Sequence, residues 1–247
     1  MFTVSVDSNI KQALRKLDNF DRRQMPFVIA KALTATAKDS QAAIIGALPR
    51  VFENPTPYTL NGTYVKTATK QRLEATVKLK DESFKGTPAN KYLGPSIFGG
   101  QRNVKRVERL LTARGILPAG MSVVPGDAAQ LDAYGNMTRG QFSKILSQLK
   151  ANTDRYQNET TASRKRKSKT SRGRYFAGAP AGGKLPQGVW ERTSFAKGSA
   201  IRPILIFVNV PSYRKQFDFF GLVNQTIRNK FEQRLVEAMQ YAMATSR

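Results

Sequence analysis

Seven of the twelve residues from Ser163 to Arg174 are basic: Arg164, Lys165, Arg166, Lys167, Lys169, Arg172 and Arg174. No acid occurs between Thr160 and Trp190. Cations at this density suit phosphate, because each contact releases counterions condensed on a nucleic acid. They equally suit an acidic patch on a partner protein. A solvated loop without a partner is the third reading, and it leaves strong self-repulsion uncompensated. Tyr175 and Phe176 follow at once. Aromatics beside basic residues can stack on bases, or they can anchor the segment to a core. A second basic cluster, Arg102, Lys105, Arg106, Arg109 and Arg114, lies on a helix expected over Asn103–Arg114, with Glu108 as its one acid. Spacings of three and four put Lys105, Arg109 and Arg102 or Arg106 on one face.

Other chemistries find little support. The chain has no His and no Cys, so the commonest general base, thiolate nucleophiles and disulfides do not arise. There is no phosphate-cradling P-loop and no dinucleotide fingerprint. A carboxylate-only metal nuclease needs acids that converge on one cation. Glu53, Glu74, Asp81, Glu82, Glu108, Asp127, Asp132 and Asp154 are scattered, and Asp81–Glu82 reads as the wet end of a loop. Asp132-Ala-Tyr-Gly-Asn136 lacks the ligand series of a calcium loop and reads as a turn. No zinc pattern, basic zipper or RNA-reading strand is present, so any nucleic-acid contact is expected to be directed at the backbone and blind to sequence. The expectation is a non-enzyme with no cofactor, metal or catalytic residue.

These residues sit in a chain of 247, long enough for a real core, with 41 Lys and Arg against 17 Asp and Glu, a net charge of +24. A charge of this size calls for an anionic partner. Met1–Asp7 has neither the basic start nor the apolar run of a signal peptide, and no stretch approaches the length of a membrane span. The expected setting is a reducing cytoplasm, with no membrane partner.

Hydrophobic periodicity supplies the elements. Phe2, Val4 and Val6 alternate as a short strand, and Ile10, Leu14 and Leu17 recur at helical spacing. An Ala-rich helix over Gln24–Leu48 is expected to end at Pro49. Tyr64–Lys66 and Leu73–Leu79 read as strands, and a helix opens at Thr138 or Arg139 and runs to Leu149. Val189–Thr193 and Ile201–Val210 read as an antiparallel hairpin, the second strand central, with Pro203 at its start or edge. A second long helix spans about Phe219–Ala244. The expected fold is α+β: one domain over residues 1–247, with a small, mostly antiparallel sheet packed by two long helices. Residues 81–102 and 160–186 are expected to be extended arms or loops ordered on neighbouring subunits.

The layout resembles the minor tail protein Z and tail-completion class of tailed bacteriophages. The resemblance rests on "MPFVIAKALTATAKDSQAAI" near the start, "YLGPSIFGGQR" at Tyr92–Arg102 and "LPAGMSVVPG" at Leu117–Gly126. The hairpin "GVWERT…IRPILIFV" and the closing "FEQRLVEAMQYAM" complete it. It implies a structural virion protein at the head–tail junction, made in the host bacterial cytoplasm. Such a subunit forms a homo-oligomeric ring between the portal or connector and the tail proteins, with packaged DNA as a further partner. A free, sequence-nonspecific nucleic-acid-binding protein acting through residues 164–174 is the alternative.

Overall fold

The computed structural model describes residues 24–84, 86–168 and 173–245, with the side chains of 166–168 outside the description. The strand expected at Met1–Val6 and the helix through Ile10, Leu14 and Leu17 lie outside the described residues. In chain order the elements are α1 Met25–Val51, α2 Pro57–Leu60, β1 Thr63–Lys66, β2 Thr76–Leu79, α3 Ala89–Phe98 and β3 Gly100–Gln101. Then come α4 Arg106–Ala113, β4 Met121–Pro125, α5 Arg139–Gln148, α6 Thr161–Ser168 and β5 Arg174–Gly178. β6 Gly188–Phe195, β7 Gly198–Asn209, β8 Ser212–Tyr213 and α7 Phe219–Thr245 complete the chain. The class is α+β, as expected. Where one domain was expected, the chain divides into two compact units, residues 1–100 with 213–247, and residues 101–212.

The first unit is built on α1 and α7. Val28, Ala32, Ile44 and Leu48 of α1 and Val223, Leu235, Ala238 and Ala242 of α7 are buried in one apolar cluster. The helices run antiparallel. Phe27 meets Tyr241 near one end, Asp39 meets Arg234 midway, and Phe52 meets Phe217 beyond the other end. Two hydroxyls buried in this seam stay satisfied by bonding back one turn, Thr36 to the Ala32 carbonyl at 2.9 Å and Ser40 to the Thr36 carbonyl at 3.0 Å. Pro49 falls in the last turn of α1 rather than after it.

The β1–β2 hairpin, in register from Thr63↔Leu79 to Lys66↔Thr76, buries Val77 and Leu79 in the same cluster. Residues 81–102 do not form an arm. Ala89, Leu93 and Ile97 of α3 recur every four residues and join the core. Gly94 and Pro95 disguise this helix in the sequence. The long helices therefore pack on each other, on a two-stranded hairpin and on α3.

The second unit holds an antiparallel sheet in the order β4-β7-β6-β5. β7 is an inner strand, as its apolar run predicts. Pro203 sits within it, not at an end. There the β6–β7 register slips between Val189 and Trp190, with Val189↔Leu205 followed by Trp190↔Pro203. A bulge is the place where an inner strand tolerates a residue without an N–H. At Gly188 a Cβ would come 2.2 Å from the Leu205 carbonyl oxygen, so this close strand approach admits only glycine. Val107 and Leu111 of α4, Ile145 and Leu146 of α5, and Val123, Val189, Leu205 and Phe207 of the sheet form a separate core.

Candidate polyanion-binding surface

Within the acid-free segment 160–186, expected as an arm or loop, the described residues include a helix and a strand. Its first part is α6, opened by reciprocal bonds between Thr160 and Ser163. The Ser163 N–H donates to the Thr160 hydroxyl at 3.1 Å, and the Thr160 N–H donates to Ser163 Oγ at 3.0 Å. This satisfies two of the donors that a helix start leaves open. Arg164 and Lys165 are exposed on it, and Arg166 and Lys167 lie in its backbone span. Lys169 and Arg172 lie outside the described residues. Arg174 opens β5, the outer strand beside β6, with Arg174↔Arg192 and Tyr175↔Glu191 in register.

Tyr175 is an anchor rather than a stacking platform. It is buried, its N–H donates to Gln148 Oε1 at 2.8 Å, and its hydroxyl accepts from Gln141 Nε2 at 3.5 Å. Burial pushes its phenol above the ordinary value, against the opposing Gln141 hydrogen bond. Phe176 is half-buried, with the Arg192 guanidinium 4.9 Å from its ring centroid. Arg174 is not a free cation: it donates to Glu159 Oε2 at 3.1 Å, and that carboxylate is almost wholly buried. Gly173, Arg174 and Tyr175 line a cleft of about 480 Å³ with Gln130, Lys144, Gln148, Glu159 and Glu191.

The second basic cluster is rearranged as well. α4 begins at Arg106, so Arg102 and Lys105 precede it and do not share a helical face with Arg109. Lys105, Arg106 and Arg109 are exposed. Arg102 turns inward and holds Glu108 with both arms of its guanidinium. Glu108, 1% exposed, also accepts from the backbone N–H of Lys105 at 2.7 Å and of Val123 at 3.0 Å. Burial acts to raise the Glu108 pKa. The Arg102 hydrogen bond, the two N–H groups and the Arg102 charge overcome it, so the carboxyl lies below its usual range.

Sequence reasoning missed Glu108. The available signal was its position at the third residue of α4, where a glutamate reaches back to the N-cap N–H. Placing the helix start at Asn103 concealed it.

These pairings decide the field of the second unit, which carries 20 Lys and Arg against 6 Asp and Glu. Glu108 and Glu159 are held by Arg102 and Arg174, and Glu191 accepts from Arg202 at 2.7 Å. Asp132 Oδ1 caps its own turn by accepting from the N–H groups of Tyr134 and Asn136, both at 2.9 Å. Asp154 accepts from the Tyr156 N–H at 2.9 Å. Five of the six acids thus serve local structure, and the excess cations dominate the charge of the unit.

Among the described residues, no group of three or more acidic side chains gathers to hold a metal ion, and no helix is long and apolar enough to cross a membrane. Comparison with protein-family models, with curated proteins and with solved structures finds no match to this chain.

Proposed function

We propose that this chain is a structural virion subunit of a tailed bacteriophage, a neck or tail-completion ring component that joins portal or connector to tail. The virion role rests on the sequence resemblance. The observation that carries the mode of action is the charge of the second unit, 20 basic against 6 acidic residues, with three carboxylates each committed to an arginine. Such a surface meets packaged DNA or an acidic neighbouring subunit. Its chemistry is attachment, so it has no catalytic set and needs no cofactor. Purified particles test the reading. Reconstruction is expected to place the chain at the head–tail junction, and its absence from mature virions overturns the assignment.

The second reading is a free, sequence-nonspecific nucleic-acid-binding protein. α6 favours it, because Arg164 to Lys167 fall at consecutive positions of one short helix, four cations within a single turn. Neutralising Arg164–Lys167 separates the two. Defective particles favour the ring subunit, whereas lost DNA affinity with normal particles favours the free binder.

A further inference from the structure

The first unit carries a groove whose lining, among the described residues, includes no residue of the basic run. It measures about 480 Å³ and runs between one face of α1 and the loop after β1. Lys31 and Lys38 stand along its helical wall and Lys70 on the loop wall, all three exposed. Thr34, Thr67 and Thr69 add hydroxyls, and Ala30, Ala35 and Ala68 line it with small side chains. No acid lines it. The two nearest in sequence are engaged elsewhere: Asp39 by Arg234 at 2.7 and 2.8 Å, and Glu74 by Arg72 at 2.8 Å. The walls are fixed relative to each other, since the Ala68 N–H donates to Thr34 Oγ1 at 3.1 Å. Lys31 lies 3.5 Å from the centroid of the Tyr241 ring, and Lys70 lies 5.5 Å from that of Phe27. Lys70 thus sits over Phe27, a ring that itself lines the groove, while Lys31 rests on Tyr241 of α7.

We propose that this groove seats the phosphate backbone of a nucleic acid, at a place separate from the basic run on the second unit. Three ammonium groups and three hydroxyls along a preformed trough walled by Phe27 and alanines match phosphate oxygens, for which Lys acts as a point charge. Lys31 and Lys38, seven residues apart, are separated by about 10 Å along α1 at the helical rise of ~1.5 Å. An acidic protein is a poorer occupant. Protein interfaces are depleted of Lys at their centres, and the charged side chains that line this trough, among the described residues, are all Lys.

Fluorescence anisotropy with a 20-base-pair duplex and the full-length protein, across a salt series, tests the proposal. Lys38→Glu with Lys70→Glu is expected to weaken binding at least about tenfold near 0.1 M salt. It should also flatten the slope of log affinity against log salt by about 1.8, at ~0.9 for each phosphate that is no longer neutralised. Lys38→Gln with Lys70→Gln, checked for an unchanged melting temperature, guards against misfolding and is expected to flatten the slope in the same direction. In the unaltered protein, Lys31, Lys38 and Lys70 should be protected from acetylation by the duplex. The decrement should persist in a background where Arg164–Lys167 are changed to Gln, which keeps this site distinct from the basic run. An unchanged slope, unprotected lysines, or a decrement that vanishes in that background overturns the proposal. Stronger protection by polyglutamate than by DNA also overturns it, in favour of an acidic protein.

Discussion

Glu108 shows how a residue can reverse its apparent role. In the sequence it is one acid among five cations on a wet helix. In the structure it is buried and saturated by Arg102 and two backbone donors. Removing one side of a buried ion pair leaves the other charge and its donors unpaired. Glu108→Ala should therefore cost about 3–5 kcal/mol, read from chemical denaturation. Glu108→Gln retains the shape and exposes a pH signature. The folded pKa lies below the ordinary value of 4.5, so the carboxylate's contribution is complete above that value and is lost as pH falls through the folded pKa. The gap in melting temperature between the native protein and Glu108→Gln should be constant near neutrality and should narrow as pH falls below 4.5 toward the folded pKa. A gap independent of pH down to about pH 2 would contradict the ionised pair. Arg102 teaches the same lesson: counted as a surface cation by spacing alone, it is spent inside the fold.

At the scale of elements, legibility followed periodicity. α1, α7, β6 and β7 were readable because burial imposes a repeat on long stretches. α3 was not, because Gly94 and Pro95 read as turn residues while three buried positions one turn apart held the helix. α6 and β5 were hidden by a composition with almost no apolar residue and by a glycine-rich continuation. The outer strand β4 is closed against further pairing. The Met121 N–H donates to the Pro118 carbonyl, the Val123 N–H to Glu108, and Pro125 has no N–H to offer. Assembly by strand addition at that edge is therefore disfavoured. α6 is the element to watch. Eight residues are too few for a helix to be stable alone in water, and four adjacent cations repel within it. Binding a polyanion should slow amide exchange across residues 161–168. Replacing Arg164–Lys167 by Ala should make the segment more helical without DNA, given alanine's propensity, and should abolish the DNA-dependent protection. Unchanged exchange on saturation with duplex DNA would remove α6 from the interface.

For the whole molecule, the unforeseen feature was the interruption of one unit by another. Periodicity reports which face of an element is buried, not which core receives it, so residues 101–212 gave no sign of a separate centre. The first core gathers residues from both ends of the described chain around Ile44, and the second gathers only residues of 101–212 around Ile204. The two clusters share no residue. Ile44 and Ile204 are both fully buried, so truncating either to Ala should cost about 2–5 kcal/mol through lost transfer energy and the cavity left behind. The damage should be local, because subglobal opening follows cooperative units. Hydrogen exchange read by mass spectrometry should show Ile44→Ala accelerating exchange in α1, β1, β2, α3 and α7 while α4, β4, β6 and β7 keep their native rates. Ile204→Ala should produce the converse. Uniform acceleration by either variant would mean that the chain unfolds as one cooperative body, and the two cores would then be divisions of packing without separate stability.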